Sequence, residues 1–138
     1  KIDFSFTSYE IVNKNNTVIK SITAKKIIDY NDLIGSCDIG LSTVMIKSDI
    51  LKKIKFPKIK TKEDYILWLK LSKKNIKMIG INKNLVIWRK LDNSLSSSIF
   101  QRVRDAFYVY HTFLKFNFIK SIFCVLTMSF NFFKKRYL

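Results

Sequence analysis

The stretch Thr61-Lys62-Glu63-Asp64-Tyr65-Ile66-Leu67-Trp68-Leu69-Lys70-Leu71 constrains this chain more than any other. Two adjacent carboxylates open it, and Tyr65, Leu67, Trp68, Leu69 and Leu71 then supply a broad apolar face. A helix of that kind must be covered by other elements. Lys70, Lys73 and Lys74 gather near its C-terminal end, where the helix dipole favours cations. Two acids kept together among lysines are either a helix cap or a site. As a cap, Thr61 takes the N-cap position and Asp64 the N3 position of a variant capping box. As a site, a carboxylate fixed at a helix N-terminus is placed to accept the proton of an attacking hydroxyl. The two readings are compatible, because a capping residue can also do chemistry.

Around this helix the chain reads as α/β. Ile2 to Val12 alternates apolar and polar residues, and Thr17 to Ile22 returns as the second strand of a hairpin across Asn13-Lys14-Asn15-Asn16. Ile27 to Ile34 reads as a short helix ended by Gly35. Ile39 to Ile46 reads as a buried strand, or as a strand broken by a bend. Ser48 to Ile54 reads as a short helix with Ser48 as N-cap. Beyond the acid-headed helix, Ile76 to Ile81 and Leu85 to Trp88 read as strands joined by a turn at Asn82-Lys83-Asn84. The first residue is Lys1 and the strand pattern begins at once, which is expected of a chain that starts in mid-fold.

The last forty residues differ. Ile99, Val103, Ala106, Phe107, Tyr110 and Leu114 fall at helical spacing, predicting a helix over about 98–115. Residues 121–133 carry no charge, and phenylalanine recurs. Thirteen residues of helix span about 20 Å, short of the roughly 20 apolar residues that a bilayer crossing needs. Flanking Lys115, Lys120 and Lys134-Lys135-Arg136 suit a helix lying in an anionic interface. A core helix against a further domain or partner is the alternative.

The formal charge of +16 favours anionic partners. Abundant lysine, isoleucine and asparagine also fit the drift of an AT-rich coding sequence. Nucleic acid is not expected, because Arg89, Arg102, Arg104 and Arg136 are few and form no aromatic-arginine ribbon. Cys37 and Cys124 have no metal or disulfide spacing and read as buried thiols of a reducing compartment. His111 stands alone and reads as structural. Trp88-Arg89-Lys90 followed by Asp92-Asn93-Ser94-Leu95-Ser96 is either a phosphate clamp or a surface arginine before an ordinary turn. The lysines at 52, 53, 55, 58, 60 and 62 surround the acid pair, as a solvated face or as an attractor of diphosphate. There is no glycine-rich phosphate loop and no cluster of metal ligands.

The order of these pieces is itself informative. Cys37 to Ile46, then Thr61 to Leu69 with Glu63-Asp64, then Val86-Ile87-Trp88-Arg89 and Asn93 to Ser96, is similar to the C-terminal half of a family 2 glycosyltransferase of GT-A fold, of the bacterial surface-polysaccharide type. The resemblance covers about residues 1–98 and implies an α/β fold there, the acceptor-side half of a GT-A domain. Residues 99–138 follow, on their own pattern, as a helical, basic tail leaning toward a membrane or packed on a partner. The resemblance implies sugar transfer from a nucleotide-diphosphate donor to the hydroxyl of a saccharide or lipid-linked acceptor, with inversion. Asp64 is the implied catalytic base and Glu63 its support. Arg89, Ser94 and Ser96 are implied at the donor diphosphate; Ser42, Thr43 and Trp68 are implied on the acceptor side. Where many members carry a histidine after the arginine, this chain has Leu91. The family's nucleotide-binding half and its Asp-x-Asp motif lie upstream. The divalent metal (Mg or Mn) is therefore expected only in the full-length enzyme, and the isolated chain is expected to be inactive. The expected location is cytoplasmic, peripheral on the inner face of the cytoplasmic membrane. The rival readings are a non-catalytic basic module that binds anionic lipid or nucleic acid, and a degenerate gene product without activity.

Overall fold

The computed structural model describes residues 2–59, 61–91 and 99–137. Its centre is a mixed sheet. β1 (Phe4–Val12) is flanked on one edge by β2 (Val18–Ile22) and by the short β4 (Val44–Ile46), both antiparallel to it. On its other edge β1 runs parallel to β5 (Met78–Arg89), and β3 (Ile27–Ile28) pairs antiparallel with the start of β5. The two-residue period of β1 buries Phe4, Phe6 and Ser8 on one side of the sheet.

The acid-headed helix, α3 (Glu63–Lys73), covers that side. Tyr65, Ile66, Leu67, Trp68, Leu69 and Leu71 are all buried, and the Trp68 ring meets Phe4 edge to face at 4.9 Å. α1 (Tyr30–Gly35) packs beside α3, and α2 (Ser48–Lys53) adds a more exposed turn. The tail forms α4 (Ile99–Tyr108), a wider π-type turn over Val109–Phe113, and α5 (Phe118–Tyr137). Val109 enters the main core. Two buried tyrosines join the layers at the end of α1. Tyr65 donates its hydroxyl proton to the Leu33 carbonyl and Tyr110 to that of Ile34, each at 2.6 Å. Burial raises both phenol pKa values well above normal, so they stay neutral donors.

Several local expectations are corrected. Ile27–Ile28 are strand, and the helix begins only at Tyr30. Asp29 caps it, with Asp32 completing a capping box. The segment 41–46 is a tight 3-10 turn (Leu41–Thr43) leading into β4. Lys47, not Ser48, is the N-cap of α2. Asn82-Lys83-Asn84 does not reverse the chain. It bulges out of one continuous strand, because both flanks pair in the same direction with β1. Buried Ser8 stitches the bulge, donating to Asn82 Oδ1 at 3.1 Å while accepting from the Ala24 N–H at 2.9 Å. Gly80 is sterically required: a Cβ there would stand 2.0 Å from the Lys25 carbonyl oxygen. That close crossing is also what allows the Gly80 N–H to reach the Lys26 carbonyl at 2.9 Å.

Candidate active site

Asp64 sits where α3 emerges from the core, and its position is set by the turn before it. Lys62 occupies the N-cap with φ 64 and ψ 15, the left-handed region that costs a non-glycine residue about 1 kcal/mol. The predicted capping box at Thr61 does not form. The Thr61 hydroxyl instead bonds Asp105 of α4, so the capping residue is tied to the tail and not to its own helix. The Asp64 carboxylate accepts the backbone N–H of Tyr65 at 2.7 Å. Partial burial raises its pKa above the usual carboxylate value, against that hydrogen bond, and the neighbouring Glu63 charge adds to the rise. A raised pKa makes the ionised form a stronger base.

Asp64 opens into a cavity of ≈ 520 Å³. The sheet contributes Tyr9, Val86 and Trp88 to it; the loop after α1 contributes residues 36–43; the turn before α3 contributes Lys62. The tail closes it with Arg102, Val103 and Ala106 of α4 and with Met128, Ser129, Phe132 and Phe133 of α5. The loop is held by short bonds. Thr43 donates to the Gly40 carbonyl at 2.7 Å, Ser36 donates to Asp38 at 2.7 Å, and Asn131 of α5 donates to the Gly35 carbonyl at 2.9 Å. The site therefore combines a basic carboxylate, two cations, several hydroxyls and an apolar wall.

The predicted site residues fare unevenly in placement. Asp64, Ser42 and Thr43 line the cavity; Thr43 is buried and spends its hydroxyl on the loop, whereas Ser42 is exposed. Glu63 lies beside Asp64 and acts on it through its charge, without lining the cavity. Trp68 is corrected: it is 1% exposed and lies between Phe4 and Phe56 in the core, so it does not face an acceptor. Trp88 is the tryptophan in the cavity. Arg89 does not line this cavity; its guanidinium donates to Asn16 Oδ1 at 2.6 Å, on the β1–β2 turn. The cavity's arginine is Arg102, stacked over Phe132 at 5.0 Å. Ser94 and Ser96 lie outside the described residues. Of the basic run around the acid pair, Lys62 reaches the cavity, and Lys60 lies outside the described residues. His111 holds a turn, its Nδ1 3.0 Å from the Phe116 carbonyl. Asp38, Tyr9 and Arg102 were missed as site residues. No local spacing marks them, because three separate elements bring them together.

Among the described residues no group of three histidine, cysteine, aspartate or glutamate side chains is disposed to hold a metal ion. Asp38 and Asp64 alone do not make a metal site, and no step below is routed through one. Nor is any helix among them long and apolar enough to cross a membrane.

No protein-family model matches the chain. TuaG of Bacillus subtilis, assigned to teichuronic acid biosynthesis as a glycosyltransferase, is 33% identical over 134 residues, covering 96% of this chain and 53% of TuaG. Two Escherichia coli β-1,3-glucosyltransferases, WfgD and WfaP, are 35% and 32% identical over 105 and 103 residues; each alignment covers 75% of this chain and 40% of the relative. Their names give UDP-Glc as donor and α-D-GlcNAc-diphosphoundecaprenol as acceptor. The chain is thus homologous to glycosyltransferases of bacterial surface-polysaccharide synthesis. It spans about half the length of these curated relatives, or less.

Proposed function

We propose that this chain is the acceptor-side part of an inverting, family 2, GT-A glycosyltransferase, and that Asp64 is its general base. The observation that carries the proposal is the placement of Asp64: a fixed, partly desolvated carboxylate at a helix start, facing a cavity large enough for a saccharide. In the reaction, the acceptor hydroxyl hydrogen-bonds Asp64. Its oxygen attacks the anomeric carbon of a nucleotide-diphosphate sugar while Asp64 takes the proton. The bond to the diphosphate breaks, and the nucleotide diphosphate leaves with the electron pair. Glu63 keeps Asp64 basic by like-charge repulsion.

The relatives' acceptor suggests a saccharide linked through diphosphate to a polyprenyl lipid. The cavity suits that chemistry, with Lys62 and Arg102 offering positive charge and Met128, Phe132 and Phe133 an apolar wall. Arg102 lines the cavity and its planar fork suits bidentate contact with the acceptor's phosphate oxygens, a role separate from the donor diphosphate proposed for Arg89. The nucleotide and any divalent metal are assigned to the length that the relatives have and this chain does not match.

The test is sugar transfer from nucleotide sugars to polyprenyl-diphosphate saccharides by a protein that carries the remaining length of the relatives. Asp64→Asn is expected to lower turnover about 10²-fold or more with the fold intact. Near-normal turnover would remove the proposed base.

A further inference from the structure

α5 has two faces of different fate. One is buried: Ser121, Cys124 and Val125 pack against Ala106 and Tyr110 of the neighbouring tail elements, and Asn131 clamps the end of α1. The other carries Ile119, Ile122, Phe123, Leu126, Phe130 and Phe133, at steps of one, three and four residues that form a single stripe. Ile119, Phe123, Leu126 and Phe130 are 80%, 68%, 62% and 69% exposed. A helix of 20 residues runs about 30 Å, so this is a long apolar strip that stays largely exposed from Ile119 to Phe130. Its start is well fixed, because the Asn117 side chain accepts the Lys120 N–H at 2.8 Å as a cap.

Along the sequence, the charge that flanks the strip is of one sign. Residues 106–138 contain Lys115, Lys120, Lys134, Lys135 and Arg136 and no acid at all. An apolar stripe flanked by cations alone fits an anionic lipid interface better than a protein surface of mixed charge. At 20 residues the helix is long enough to span but too polar and too charged to do so, and such a helix is suited to lie along an interface.

We propose that the outward stripe of α5 seats this chain in the headgroup region of an anionic bilayer. The consequence goes beyond the transferase reading. Phe133 belongs both to the stripe and to the cavity wall, and Ser129, one turn before it on the same face, continues that wall round to Phe132 and Met128. A seated α5 therefore brings the Asp64 cavity to the lipid surface, where a polyprenyl-linked acceptor resides.

The test is co-sedimentation of the chain with vesicles of mixed phosphatidylglycerol and phosphatidylcholine, set against vesicles of phosphatidylcholine alone. Wild type is expected to bind the anionic vesicles at least about tenfold more tightly, and less so in high salt. Lys120→Glu with Lys134→Glu is expected to weaken that binding roughly tenfold or more. Phe123→Ser, Leu126→Ser and Phe130→Ser together are expected to abolish it. Phe123→Trp is a gentler probe that keeps the fold, and brominated lipid is expected to quench the new indole. Equal binding to both vesicle types, no binding, or an unquenched Trp at position 123 overturns the proposal. So does a dimer in solution that the triple variant converts to monomer without loss of lipid binding. Asp64→Asn is expected to bind vesicles like wild type, so failure of the base assignment and failure of the membrane assignment are read separately.

Discussion

α3 and α5 are both rich in large apolar side chains, yet only one is sealed. In α3 every residue from Tyr65 to Leu69 is buried, because the sheet's Phe4 and Phe6 lie on one side and α1 and the tail complete the enclosure. In α5 the face toward α1 and α4 is buried and the opposite face is bare. Apolar content sets what a helix can bury; the neighbours decide what it does bury. The candidate site lies at the boundary between the two regimes. Asp64 stands where α3 leaves the core, and the cavity it faces is closed by α5.

The contrast is sharpened most by Trp68→Ala. Removing a large, fully enclosed ring from between Phe4 and Phe56 is expected to cost about 3–5 kcal/mol. Denaturant unfolding measures it, and a loss below about 1 kcal/mol would show that the ring is not a core element. At the other extreme, Leu126→Ser on the bare face of α5 is expected to change stability by no more than about 0.5 kcal/mol in the absence of lipid. A large loss there would mean that something covers the stripe in the free protein.

Much of this division was legible in residue order. The β1–β2 hairpin, α3 and the tail helices follow directly from spacing, and the Glu63-Asp64 pair was readable as a site as well as a cap. What could not be read was decided by partners distant in sequence. Thr61 spends its hydroxyl on Asp105, 44 positions away, which leaves left-handed Lys62 to start the helix. Asn82-Lys83-Asn84 carries turn chemistry, but β1 pairs with both flanks and turns it into a bulge. Trp68 and Trp88 are equally aromatic in sequence, and enclosure of α3 on all sides buries the first while the strand delivers the second to the cavity. Arg89 and Arg102 differ in the same way. Arg89 follows the strand out to Asn16, and Arg102 sits on a helix that leans over the site.

The claim that matters most is that Asp64 must be ionised to accept a proton. The measurement is the pH dependence of kcat/KM for wild type and for the residual activity of Asp64→Asn, in a protein carrying the relatives' full length. Because burial raises the Asp64 pKa, wild-type activity should fall as pH drops through a value above that of an ordinary carboxylate. The residual activity of Asp64→Asn should lack that acidic limb. An acidic limb that survives unchanged in Asp64→Asn, with turnover near wild type, would contradict the account.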